Sequence, residues 1–220
     1  MIRAALLLVA LLATGAGCRR SVSPDQLGAG PSYPGTESEL GFFPPQSVDP
    51  FEAAWFGNAL RAMREPILHG AAMPPEWSVG RVLWLRSFHE PVSVRIVRSG
   101  QSCVVITTVL ESQFVRSTSD TAAGSSIAPI GFGPLVRRDS TAADAPVCDA
   151  ALGSLVQAGL GAVPVTIPDR GLDGSEWILE LVDASQYRLA VRWSPDTAGA
   201  LGAAALGVLR AGRVTLSPVY

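Results

Sequence analysis

Glu176-Trp-Ile-Leu-Glu-Leu-Val182 and, after Asp183-Ala184-Ser185, Gln186-Tyr-Arg-Leu-Ala-Val-Arg-Trp193 are two runs of strand-forming residues joined by a short polar turn, the pattern of a β-hairpin. A three-residue loop would make 182 and 186 partners. Leu179 would then face Leu189 and Trp177 would face Val191, while Glu180 meets Arg188 and Glu176 meets Arg192 on the other side. That register predicts one core face and one solvated face.

Working outward, Pro91-Val-Ser-Val-Arg-Ile-Val97 alternates apolar and polar residues, and Ser102 to Leu110 is rich in Val, Ile and Thr. With Ser99-Gly100-Gln101 as the turn, these two runs predict a second hairpin, and Val82 to Phe88 predicts one strand more. Asp49-Pro-Phe-Glu supplies a helix cap, a proline at the first helical position and a glutamate at the third, so a helix is expected over 50–64, ended by Pro66. Further helices are expected at about 149–160 and after Ser194-Pro195-Asp196, with Gly212 as a stop. The order helix, three strands, helix, hairpin, helix predicts an α+β fold, an antiparallel sheet of about five strands with three helices packed on one face. The stretch 114–146 is small and polar and reads as a long disordered loop.

The N-terminus has a different character. Met-Ile-Arg precedes an apolar run from Ala4 to Ala13, then Thr14-Gly-Ala-Gly-Cys18, the layout of an export signal. A membrane-spanning helix takes ~20 apolar residues, so this run is too short to stay as an anchor. The small residues before Cys18 resemble the lipobox of bacterial lipoproteins, with Gly15 where that pattern usually has Leu. The resemblance implies cleavage after residue 17 and a lipid on Cys18. Residues 18–48, rich in Ser, Pro and Gly, then read as a lipidated cysteine and flexible tether, and 49–220 as a single domain. Such a chain is expected in the bacterial cell envelope, held to a membrane by its lipid with the domain outside the cytoplasm.

With Cys18 set aside, Cys103 and Cys148 remain, an even pair in an exported chain, and a disulfide between them is expected. There is no CxxC motif and no Cys/His cluster, so zinc and thioredoxin-type chemistry are not indicated, and no cofactor is expected. The 17 basic residues are all arginine and are spread against 19 acidic ones. A net charge of −2 with no basic run argues against nucleic acid as a partner.

Two segments, Leu83-Trp-Leu-Arg-Ser-Phe-His-Glu-Pro-Val92 and Asp173-Gly-Ser-Glu-Trp-Ile-Leu-Glu180 with Tyr187 and Arg192-Trp-Ser-Pro195, resemble a family of uncharacterised, often exported bacterial proteins. That resemblance implies no activity. His89 lies in Ser87-Phe-His-Glu90, but neighbours on one strand point to alternate faces and do not make a triad. Two functions are therefore expected as alternatives. One is a non-catalytic envelope module that binds a protein, a cell-wall component or a small ligand through an exposed sheet face around Arg86, His89, Glu180 and Arg192. The other is an envelope hydrolase with His89 as general base.

Overall fold

The computed structural model describes residues 41–111, 131–168, 171, 173–215, 217 and 219. The leader and lipid site at residues 1–18, the tether up to residue 40 and the first part of the expected loop, 112–130, lie outside the described residues.

Six antiparallel strands form one sheet, β1 (Trp77–Arg86), β2 (Val92–Ser99), β3 (Ser102–Leu110), β4 (Leu135–Ala143), β5 (Ser175–Asp183) and β6 (Tyr187–Trp193), in the order β4-β3-β2-β1-β5-β6. Three helices complete the α+β fold: α1 (Pro50–Ala62), α2 (Ala145–Gln157) and α3 (Ala200–Ala211). The sheet has one strand more than expected. Leu135–Ala143, read as loop because of its Arg, Asp, Ser and Ala content, is the edge strand β4, pairing with β3 from Cys103↔Ala143 to Leu110↔Leu135. An edge strand needs no apolar face of its own, so composition concealed it.

The helices do not all pack on one face. Helices α2 and α3 cover the face of Val82, Trp84, Val94, Ile96, Trp177 and Leu179. Helix α1 covers the opposite face, where Phe56, Ala59 and Leu60 meet Leu83, Leu85, Ile178 and Val191. The expected wet face is therefore buried, and the central strands run buried almost end to end. Order also starts before Asp49: Phe42, Phe43 and Val48 are buried against α1, with Phe43 edge-on to Phe56 at 6.2 Å, so the last part of the predicted tether belongs to the domain.

The β5–β6 register differs by one residue from the expected one. Asp183 Oδ1 accepts from Ser185 N (2.8 Å) and Gln186 N (3.1 Å), and Asp183 N donates to Gln186 O (3.2 Å), which closes a tighter turn. Val182 therefore pairs with Tyr187, Leu179 with Ala190, Glu180 with Leu189 and Trp177 with Arg192. Arg188 and Arg192 pass to the α2/α3 face, and Glu180 faces α1.

Each helix ends in a Schellman arrangement. Glu65 N donates to Leu60 O (2.9 Å), Leu160 N to Leu155 O (3.1 Å) and Val214 N to Leu209 O (3.1 Å). The left-handed residue is Gly159 after α2 but Arg64 and Arg213 after α1 and α3, with φ of 55° and 53°. Gly212, the predicted stop, serves instead for close approach, since a Cβ there would lie 2.6 Å from Val94 Cγ2. Helix α2 starts at Ala145, ahead of the expected Asp149, and α3 starts at Ala200, after the Asp196 turn.

Candidate functional site

Two side-chain clusters organise the molecule, one inside it and one at its rim. The inner cluster lies between α1 and the sheet. The turn after α1 directs Glu65 inward, where its Oε2 accepts from Arg95 Nε at 2.8 Å and lies 3.6 Å from Arg81 Nη1. Its Oε1 accepts from Thr108 Oγ1 at 3.3 Å and lies 3.6 Å from Arg138 Nη1. Arg81 turns its other edge to Glu180, with Nε to Oε2 at 2.6 Å and Nη2 to Oε2 at 2.5 Å, and Tyr187 Oη donates to Glu180 Oε1 at 2.8 Å. Main-chain carbonyls complete the set: Arg81 donates to Pro66 O and Arg138 to Met63 O, both at 2.8 Å.

The side chains of Glu65, Arg81 and Glu180 have no solvent exposure. Burial alone would lower the Arg81 pKa, but Glu180 and Glu65 beside it hold it above the ordinary arginine value. Arg95 is pushed below that value by desolvation, which Glu65 only partly offsets. Desolvation and the Glu180 carboxylate together push the Tyr187 phenol far up, so it stays a neutral donor. A shared carboxylate among arginines from three strands is a clamp: it ties the α1 turn to β1, β2 and β4.

The rim cluster brings together the two segments singled out by their tryptophans. Ser87 N and Ser87 Oγ donate to Gly174 O (3.0 and 2.9 Å), and Gly174 N donates back to Ser87 Oγ (3.3 Å). Ser194 N donates to Ser175 O (2.7 Å) and Ser175 N to Ser194 Oγ (3.0 Å), with Ser194 held at φ 34°. Trp177 Nε1 donates to Ser175 Oγ at 2.6 Å, the Trp84 and Trp177 rings meet at a tilt of 44° with centroids 5.1 Å apart, and the Arg86 guanidinium lies 4.4 Å over Trp84. Gly174 lies against Trp193, where a Cβ would come within 2.9 Å of Cζ2. Above this support the turn Ser87-Phe88-His89-Glu90 projects outward, and Phe88 is 70% exposed.

The four residues expected to share an exposed sheet face do not share one. Glu180 is buried in the inner cluster facing α1. Arg86 is buried on the other face and donates to Glu90 O through Nε and Nη2 (3.3 and 3.0 Å). Arg192 donates to Val165 O and Pro164 O (2.9 and 2.8 Å), fixing a segment along β6, and its burial lowers its pKa. His89 is half-buried on the rim turn, three residues beyond Arg86 in the chain. Ser87, the hydroxyl nearest His89 in sequence, is engaged in both directions with the Gly174 main chain.

Sequence reasoning missed Glu65, Arg81, Arg95, Thr108 and Tyr187 as one group. Arg95 alternates with apolar neighbours and so reads as solvent-facing; the available signal was α1, whose apolar side needs a second sheet face to cover. Among the described residues no group of three His, Cys, Asp or Glu side chains forms a metal-binding set. The sulfurs of Cys103 and Cys148 stand 2.01 Å apart, at disulfide distance, both buried, so that the first turn of α2 is joined to the start of β3. No family model, no curated protein and no solved structure matches this chain.

Proposed function

We propose that the chain is a lipid-anchored protein of the bacterial envelope whose folded domain is a non-catalytic binding module, and that the rim around Ser87–Glu90 and Gly174–Ser175 is its contact surface. The observation that carries the compartment is the buried Cys103/Cys148 pair at disulfide distance in a chain that opens with an export-like leader and a lipobox-like cysteine. The candidate contact surface moves from the expected sheet face to the rim because both sheet faces are covered and Phe88 projects from a well-braced turn. Large exposed aromatics on rigid supports are typical contact residues.

The reading is tested by growing a bacterial host that expresses the full chain with an alkyne-labelled fatty acid. The wild-type chain should take up the label and fractionate with membranes, and Cys18→Ala should do neither. Equal labelling of the two, or a wild-type chain wholly in the soluble cytoplasmic fraction, would sink the proposal.

A further inference from the structure

Among the described residues one edge of the sheet is covered and the other is open. Along β6, Val191 N donates to Val165 O at 2.7 Å and Arg192 donates to Val165 O and Pro164 O, so an extended segment of the chain lies against that edge. Strand β4 has β3 on one side and no strand on the other. The main-chain hydrogen bonds of β3 show which β4 groups turn outward. Leu110 N donates to Pro91 O on the β2 side (3.1 Å), whereas Glu111 N donates to Pro134 O on the β4 side (2.9 Å). Amides alternate in direction along an antiparallel strand, so Cys103, Val105 and Thr107 turn to their partners Ala143, Thr141 and Asp139. Arg138, Ser140 and Ala142, between those partners, turn their N–H and C=O away from the sheet.

Two arginines flank these rungs from opposite faces. Met63 O, at the end of α1, accepts from Arg138 Nη1 at 2.8 Å, and Arg64 is the next residue. Gly212 O, at the end of α3, accepts from Thr107 Oγ1 at 2.8 Å, and Arg213 is the next residue. Thr107 pairs with Asp139 and Thr108 with Arg138, so both helices end over the middle of the β3–β4 ladder. Arg64 and Arg213 are exposed, and neither guanidinium has a partner among the described residues. Both residues hold left-handed backbone, φ 55° and 53°, a conformation that strains an L side chain and not glycine. The helix dipole favours a cation at any helix C-terminus. Helix α2 has the same dipole, yet its left-handed residue is Gly159, and the chain leaves it toward Gly161 beside Arg188 on β6. Of the three helix ends, arginine takes the left-handed position at the two beside the open edge.

We infer that the β4 edge is a docking site for an extended acidic segment of a partner protein, which joins the sheet as a further strand beside β4. The outward groups of Arg138, Ser140 and Ala142 supply the main-chain hydrogen bonds, and charge selects the segment. Successive side chains of an added strand point to opposite faces, and a cation stands on each, Arg64 on the α1 side and Arg213 on the α3 side. Asp139, the one carboxylate on β4, is held by Arg137 at 3.1 Å, so its charge is offset within the strand. Ser140, Thr141 and Ala142 are small and exposed, which leaves longer carboxylate side chains room to reach the arginines. A second copy of β4 fits this edge poorly, because it brings another Arg64 and Arg213 to the same place, cation against cation. The site is separate from the rim at Ser87–Glu90 and does not depend on a lipid at Cys18.

Fluorescence anisotropy on the full chain carrying Cys18→Ser tests this with a labelled, end-capped peptide, Thr-Glu-Glu-Val-Glu-Glu-Thr, and its counterpart with glutamine for glutamate. The expected result is salt-sensitive binding of the acidic peptide and none of the glutamine peptide. Arg64→Gln with Arg213→Gln weakens binding about fivefold or more. Adding Asp173→Asn and Asp196→Asn, which restores the net charge from the β5–β6 side, does not restore it. Ser140→Pro abolishes binding while the melting temperature holds, because the N–H it removes points away from β3. In the chain with its native β4, the acidic peptide slows hydrogen exchange at the Arg138, Ser140 and Ala142 amides. No binding of the acidic peptide, equal binding of both peptides, or unchanged exchange at those amides overturns the assignment, as does binding indifferent to Ser140→Pro. Binding of phosphatidylglycerol vesicles without binding of the peptide overturns it in favour of an anionic bilayer.

Discussion

Glu65 is the shared acceptor at the centre of the inner cluster. Its carboxylate is shared by Arg95, Arg81 and Arg138, and removing it leaves positive charge buried among apolar strands. Breaking one partner out of a buried pair typically costs ~3–5 kcal/mol. Glu65→Gln should therefore lower unfolding stability by about 3 kcal/mol or more, read from urea unfolding curves at unchanged slope. Arg64 offers the opposite case. It occupies the left-handed position that glycine fills after α2, and its side chain is exposed, so Arg64→Gly should raise stability by about 0.5–1 kcal/mol in the same urea unfolding curves. Asp183 sets a pH signature. Against the cost of its desolvation, hydrogen bonds from Ser185 and Arg188 and from the turn amides hold its carboxyl well below the ordinary aspartate value. A depressed folded pKa means that its contribution is complete above the unfolded value near ~3.9 and fades as pH falls below it toward the folded value. Asp183→Asn should thus be less stable than wild type at neutral pH, with the gap closing below about pH 4. A gap that stays constant down to pH 2 would contradict the assigned ion pair with Arg188.

Among the elements, those with their own local chemistry were legible and those defined by their surroundings were not. The cap at Asp49 and the turn at Gly100 could be read from residue types because each satisfies its own backbone locally, and the strand runs on either side of Asp183 could be read from their aromatic and branched residues flanking a short polar turn. The β5–β6 register could not, since it hangs on whether the Asp183 side chain tightens the turn by one residue. Strand β4 was hidden because an edge strand is ordered by β3 and not by apolar residues of its own. The disulfide ties two elements distant in sequence. In the chain-entropy model a loop of 45 residues corresponds to about 4 kcal/mol. For a chain of this size that is roughly 8–16 °C in Tm, so the Cys103→Ala/Cys148→Ala double variant should melt that much lower by calorimetry. A shift under a few degrees would mean that α2 is held to β3 by packing alone.

On the scale of the whole molecule, the sheet is enclosed by α1 with its preceding segment on one side and α2 with α3 on the other. Both faces of the central strands are therefore covered, and the proposed contact surface is the rim instead of the expected sheet face. The two tryptophan-bearing segments were distinctive in the sequence, and the structure brings them together at Ser87, Gly174, Ser175 and Ser194. Their role as mutual support was not legible, because it depends on β1 pairing with β5, a contact between residues far apart in the chain. The proposed reading has this domain lipid-anchored and oxidised outside the cytoplasm. Intact mass of the protein purified from a bacterial host, with and without reduction and alkylation under denaturing conditions, tests it most directly. The expected product is a mature chain that begins at Cys18, is heavier by a diacylglyceryl and an acyl group, and offers no alkylatable thiol until reduced. An unlipidated chain, or one with Cys103 and Cys148 alkylated without reductant, would contradict it.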